Sequence, residues 1–184
     1  PTIGAVGLIE NVADIIGCDV RDGHVLLVVG DTAGHLGQSA LLAEIFGRED
    51  GDAPAVDLAA EKRNGDFIRA NRKLIRACTD VSDGGIALAA FELAEAADVG
   101  LHMDHQHDDA FLFGEDQGRY LVTAPDAEAG RIEAEAIAAR IPLAVIGRTG
   151  GMDLTVGRGY TISLSELRTA HEMWLPGYMA GAAA

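Results

Sequence analysis

Two segments of this sequence place residue types together that can do chemistry. The first is Asp80-Val81-Ser82-Asp83-Gly84-Gly85. Between a buried strand and a helix, its paired glycines let the backbone approach a ligand closely. The helix start then offers unpaired N–H groups that can receive a phosphate. The same spacing suits a Ser82 or Asp83 helix cap beside a tight glycine turn. The carboxylates of Asp80 and Asp83 repel a phosphate unless they point away or hold a cation. The second segment is Phe113-Gly114-Glu115-Asp116-Gln117-Gly118-Arg119-Tyr120. On a tight turn, Glu115, Asp116 and Gln117 can hydrogen-bond a ribose or a glycinamide amide, and Arg119 can neutralise them or reach a phosphate. A polar turn with a local ion pair is the equal alternative.

Other clusters carry less. In a strand, His105 and His107 share one face while His102 and Asp104 share the other, so four converging metal ligands are hard to assemble. His35, in Gly34-His35-Leu36-Gly37, reads as an ordinary loop histidine, with ligand contact the lesser alternative. Arg148-Thr149-Gly150-Gly151 suits a glycine-rich anion loop or a hairpin turn. Cys18 and Cys78 are isolated, with no CxxC pattern, and read as small core thiols in a reducing, intracellular setting. Cys78 has no evident activating base. The sequence contains no GxSxG, Walker A or HExxH motif, and no GxGxxG following a strand.

The elements that must position these residues alternate. Val25–Val29 is the clearest strand, β-branched and bounded by Asp22-Gly23 and Gly30-Asp31. Ser39 precedes a helix over 40–46, and Asp57 caps one to about Ala70. Strands are expected over 74–79, 101–104, 120–123 and 143–147, with 154–156 pairing back across the Gly150-Gly151 turn. Helices are expected over 86–97, 127–140 and from Ser163 or Ser165 through Met173. The fold class is therefore α/β, a layered domain with one mixed sheet packed by helices. With a formal charge of −15 over 184 residues, nucleic acid and anionic membrane surfaces are poor partners, and no apolar run is long enough to span a bilayer.

Taken in order, several motifs resemble those of the phosphoribosylformylglycinamidine synthases. They are Pro1–Glu10, Gly34-His35-Leu36-Gly37-Gln38-Ser39, Val56-Asp57-Leu58, Asp80–Gly85, Phe113–Tyr120, Ile146–Gly150 and Leu167–Pro176. The chain is similar to the C-terminal AIR-synthase-like domain of the small bacterial type. The resemblance implies that residues 1–17 are the last strand and connection of a preceding ATP-binding-type domain. Residues 18–178 would be the C-terminal-like domain, and 179–184 a disordered tail.

The implied reaction activates the amide oxygen of formylglycinamide ribonucleotide with ATP as an iminophosphate, which ammonia from glutamine displaces to give the amidine. ATP and Mg²⁺ would be held by residues outside this chain, so no catalytic residue is assigned. The fragment alone is expected to be inactive. Asp83, Gly84, Gly85, Glu115, Asp116 and Gln117 become the candidate substrate- or phosphate-binding residues of a non-catalytic pseudo-site. In the catalytic half the matching turn reads Glu-Ser-Gln, so Asp116 adds a carboxylate near the expected phosphate. Implied partners are the preceding domains of the same chain, a glutaminase subunit and a small accessory subunit, in the cytoplasm. A scaffold module, or a domain of an AIR synthase, selenophosphate synthetase or thiamine-phosphate kinase, are the alternatives.

Overall fold

A computed structural model describes Gly4 and residues 6–104 and 108–181. Seven strands form one sheet in the order β2-β4-β1-β5-β3-β6-β7. They are β1 (Val25–Val29), β2 (Ala77–Asp80), β3 (Leu101–Met103), β4 (Tyr120–Ala124), β5 (Leu143–Thr149), β6 (Asp153–Val156) and β7 (Tyr160–Ser163). All neighbours are antiparallel except β3 and β6. The continuous apolar run of β1 is buried at every residue, as a strand covered on both faces requires.

Alternate β1 residues sort the core into two layers. Leu26 and Val28 pack with α2 (Gly85–Ala97), α3 (Asp109–Phe113) and α5 (Leu164–Met179) through Ile86, Ala90, Leu93, Leu112 and Leu164. Val25, Leu27 and Val29 pack with α1 (Leu58–Ala70) and α4 (Asp126–Ala139) through Phe67, Ile132 and Ala136. The expected α/β layering with a mixed sheet is what the chain forms. As anticipated, Asp57 caps α1, its Oδ1 accepting from the Ala59 and Ala60 amides.

Several expectations are corrected. Residues 153–156 do not pair back on β5, because β3 lies between them and β6 instead forms a hairpin with β7. The Gly150-Gly151 turn is consumed by Gly100, which donates to Gly151 and accepts from Gly150. The helix expected over 40–46 is a π-helical turn, Leu41–Ile45. Asp109–Phe113 is helical, capped by Asp108 through the Phe111 amide. The final helix runs past Met173 to Met179 with Pro176 inside it. Gly4 and residues 6–10 lie outside this sheet. Within the described residues, no helix is long and apolar enough to cross a membrane.

Candidate functional site

Register brings the two chemical segments to one end of the sheet. Val29 at the end of β1 and Asp80 at the end of β2 both pair with Tyr120, the first residue of β4. Three loops therefore leave the sheet side by side: 30–36 after β1, 81–84 after β2, and 114–119 before β4. They are tied together by backbone bonds, with the Glu115 amide donating to the His35 carbonyl (2.8 Å) and the Val81 amide to the Arg119 carbonyl (3.0 Å). From α1, Asn64 is buried and donates through Nδ2 to the Gly118 carbonyl at 2.8 Å.

Each turn carboxylate is held by amides of another loop. Glu115 is buried, and its Oε1 accepts from the Ala40 and Gly84 amides, both at 2.8 Å. Asp116 Oδ2 accepts from the Gly34 amide at 2.9 Å, and the His35 amide lies 3.3 Å from Oδ1. Between these carboxylates sits Arg119, whose side chain is 0% exposed. Its guanidinium donates to the Gly114 and Asp116 carbonyls at 2.6 and 3.0 Å and to Thr32 Oγ1 at 3.4 Å, and lies 3.7 Å from Asp116 Oδ2. Burial pulls the Arg119 pKa below its usual value, opposed by the charges of Asp116 and Glu115. Arg119 thus neutralises its own turn.

The start of α2 differs from the expected side-chain cap. Neither Ser82 nor Asp83 caps it; the N-cap is Gly84 in the left-handed region (φ +75°), with no side-chain cap. Glu115 reaches the Gly84 amide from 31 residues away. Gly85 is also left-handed (φ +65°), and a Cβ there would meet the Gly114 and Leu112 carbonyl oxygens at 2.7 Å. That close packing is why glycine is needed at this position.

The six candidate residues consequently divide. Asp116 and Gln117 line a groove of about 550 Å³ with Asp31, His35, Asp57 and Glu61. Gly84 lines a second groove of about 400 Å³, walled by Leu41, Ile45, Leu88, Phe91 and Leu167. Glu115 is buried between them, Gly85 is packed against 112–114, and Asp83 is exposed. His35, read as a loop residue, lines the first groove and its Nε2 lies 2.7 Å from the Asp52 carbonyl, which makes Nε2 the protonated nitrogen.

Of the remaining candidates, His102 lies 3.8 Å from Asp104, whereas His105 and His107 fall outside the described residues. Arg148 ion-pairs with Asp126 at 2.8 Å and forms no anion loop. Burial, and then Asp80, push the Cys78 thiol up to about 11, so it is protonated at neutral pH and a poor nucleophile. Ala40 and Gly34 were not singled out as amide donors, because contacts 75 and 82 residues apart leave no local signal.

Residues 21–157 match the family described as AIR synthase related protein, C-terminal domain. The phosphoribosylformylglycinamidine synthase subunit PurL of Jannaschia sp. (strain CCS1) is 62% identical over 85% of this chain, and that of Ruegeria pomeroyi is 60% identical over 85%. In each case the chain spans only 22% of the relative's length. Among solved structures, T. maritima PurL complexed with FGAR superposes with a TM-score of 0.64 at 20% identity, over 79% of this chain and 28% of that one. The shared fold is what that superposition establishes. The likeness drawn from the ordered motifs is borne out by the two sequence relatives.

Proposed function

Because this chain belongs to the AIR synthase related protein, C-terminal domain family, we propose that it works as one domain of the ATP-dependent ligase that converts formylglycinamide ribonucleotide to formylglycinamidine ribonucleotide with glutamine-derived ammonia. The observation that carries this reading is the 62% identity to a synthase subunit, sustained across 85% of the chain. On this reading the partners are the other domains of a longer chain, a glutaminase subunit and a small accessory subunit, in the cytoplasm.

ATP supplies the phosphoryl group that activates the amide oxygen, and Mg²⁺ offsets the transferring charge. The carboxylates beside Gln117 do not fit a Mg²⁺ role. Asp57 is engaged in capping α1 and Asp116 in holding Gly34 and His35. Among the described residues, no group of three or more His, Cys, Asp or Glu is arranged to hold a metal. The chain's own contribution is to present Asp116 and Gln117, with the Gly34–His35 loop, at the first groove as a pseudo-site and to support the catalytic half.

Two measurements test this. The purified chain with ATP and formylglycinamide ribonucleotide should release no phosphate above background. Grafted in place of the corresponding segment of the Jannaschia subunit, it should preserve amidine formation within about fivefold, a loss of ~1 kcal/mol. Substrate-dependent hydrolysis by the isolated chain, or a folded but inactive graft, would overturn the proposal.

A second reading, a non-catalytic assembly module, is favoured by the C-terminal half of α5. There Met173, Trp174, Leu175, Tyr178 and Met179 are all exposed, and apolar clusters of that kind mark docking surfaces. Calorimetry with formylglycinamide ribonucleotide separates the two, since millimolar or tighter binding favours a retained pocket.

A further inference from the structure

We propose that Asp116 determines the specificity of the groove beside Gln117, as a built-in anion that fills its anion-receptive nest and so keeps a ligand's phosphate out of this end of the groove. The inference rests on the reading above that this groove faces a ligand. Consecutive backbone amides, with the first residue left-handed, form a concavity for a negative group. Gly34 (φ +76°) and His35 provide one, and both amides are directed at the Asp116 carboxylate.

Beneath them lies the Arg119 guanidinium, fully buried and 3.7 Å from Asp116 Oδ2. A guanidinium stays charged in a protein interior and needs a counter-charge there. Glu115, the other nearby carboxylate, already holds the Ala40 and Gly84 amides. Two amides and one buried cation are the parts of a phosphate or carboxylate receptor, and the chain has occupied it with its own side chain.

The groove's other charged residues, Asp31, Asp57 and Glu61, add acceptors beside apolar Leu36, Pro54 and Ala55, within a chain of net charge −15. An incoming phosphate therefore meets repulsion at the rim and finds the donors taken. A ligand that is uncharged or cationic at this end, and rich in hydrogen-bond donors, fits instead.

A merely structural Asp116, locking the turn, and an internal anion make different predictions for Asp116→Ala. Both lower stability. Only the second leaves a cationic nest that an exogenous anion can refill. Thermal unfolding of the 184-residue chain should be followed in sodium chloride and in sodium phosphate or formate at equal ionic strength. At ~20 mM anion, Asp116→Ala should gain about 3 °C or more in Tm, saturably, while the native chain stays within about 1 °C. Asp116→Asn, whose amide oxygen still fills the nest, should gain less than half as much as Asp116→Ala.

An alanine variant with no anion-specific gain, or a native chain that gains equally, would overturn the proposal. If Asp116→Ala does not fold, the native chain carries the test. Phosphate titrated to ~10 mM should leave the Gly34 and His35 amide resonances unmoved, because both donors are already satisfied. A saturable shift of those resonances would overturn it. Failure of rescue leaves the domain-graft result untouched, and an inactive graft leaves the phosphate result untouched.

Discussion

Glu115 stands 31 residues from Gly84 and 75 from Ala40, yet one of its oxygens satisfies both amides. Carboxylate bonds to backbone N–H groups are stronger than neutral ones, and a buried N–H left alone carries its full desolvation penalty. Glu115→Ala should therefore lower unfolding free energy by about 2–4 kcal/mol. Glu115→Gln, which keeps an acceptor oxygen, should cost about half of that. Urea denaturation midpoints would read the difference. Equal losses for the two variants would mean that carboxylate volume, and not its bonds to the 40 and 84 amides, matters here.

At the scale of elements, the meeting of α2 with the 112–114 backbone decides where the three loops can sit. Gly85 permits it, since an added Cβ would lie 2.7 Å from two carbonyl oxygens and the backbone is left-handed besides. Gly85→Ala should destabilise by about 3 kcal/mol or more, because rigid backbone and not a flexible side chain stands in the way. Gly130 makes the contrast. It lies within α4, at ordinary helical φ, with nothing within 4 Å of an added Cβ. Gly130→Ala should stabilise by about 0.5–1 kcal/mol, the usual gain of alanine over glycine inside a helix. Paired chemical denaturation curves would show the opposite signs, and equal signs would contradict this placement of the two glycines.

For the molecule as a whole, 29 acidic against 14 basic residues make self-repulsion a general term in stability. Several ion pairs are exposed, among them Arg21–Asp19, Arg48–Asp50 and Arg69–Asp66, and such pairs contribute little each. Screening should therefore help the native state more than it harms it. Raising sodium chloride from ~0.02 to ~0.3 M, where the Debye length falls below about 10 Å, should raise Tm by a few degrees. A Tm that falls over this range would show that the exposed pairs outweigh the repulsion.

The sequence by itself determined the kind of fold and where its polar, glycine-rich loops fall. Strands alternating with helices, and a β1 run apolar at every position, require a sheet covered on both faces; the polar, glycine-punctuated stretches at 81–84 and 114–119 require loops. These are consequences of local periodicity and turn chemistry, which neighbouring residues impose on each other. Tertiary structure alone decided three things: that β3 separates β5 from β6, that Glu115 takes the Gly84 amide where no Ser82 or Asp83 side chain caps α2, and that Asp116 is turned into the Gly34-His35 amides near a buried Arg119. Each depends on groups brought together across 31 to 87 residues. Any acceptor of the right shape can satisfy a backbone donor, so the donor's own sequence neighbourhood carries no record of which one does.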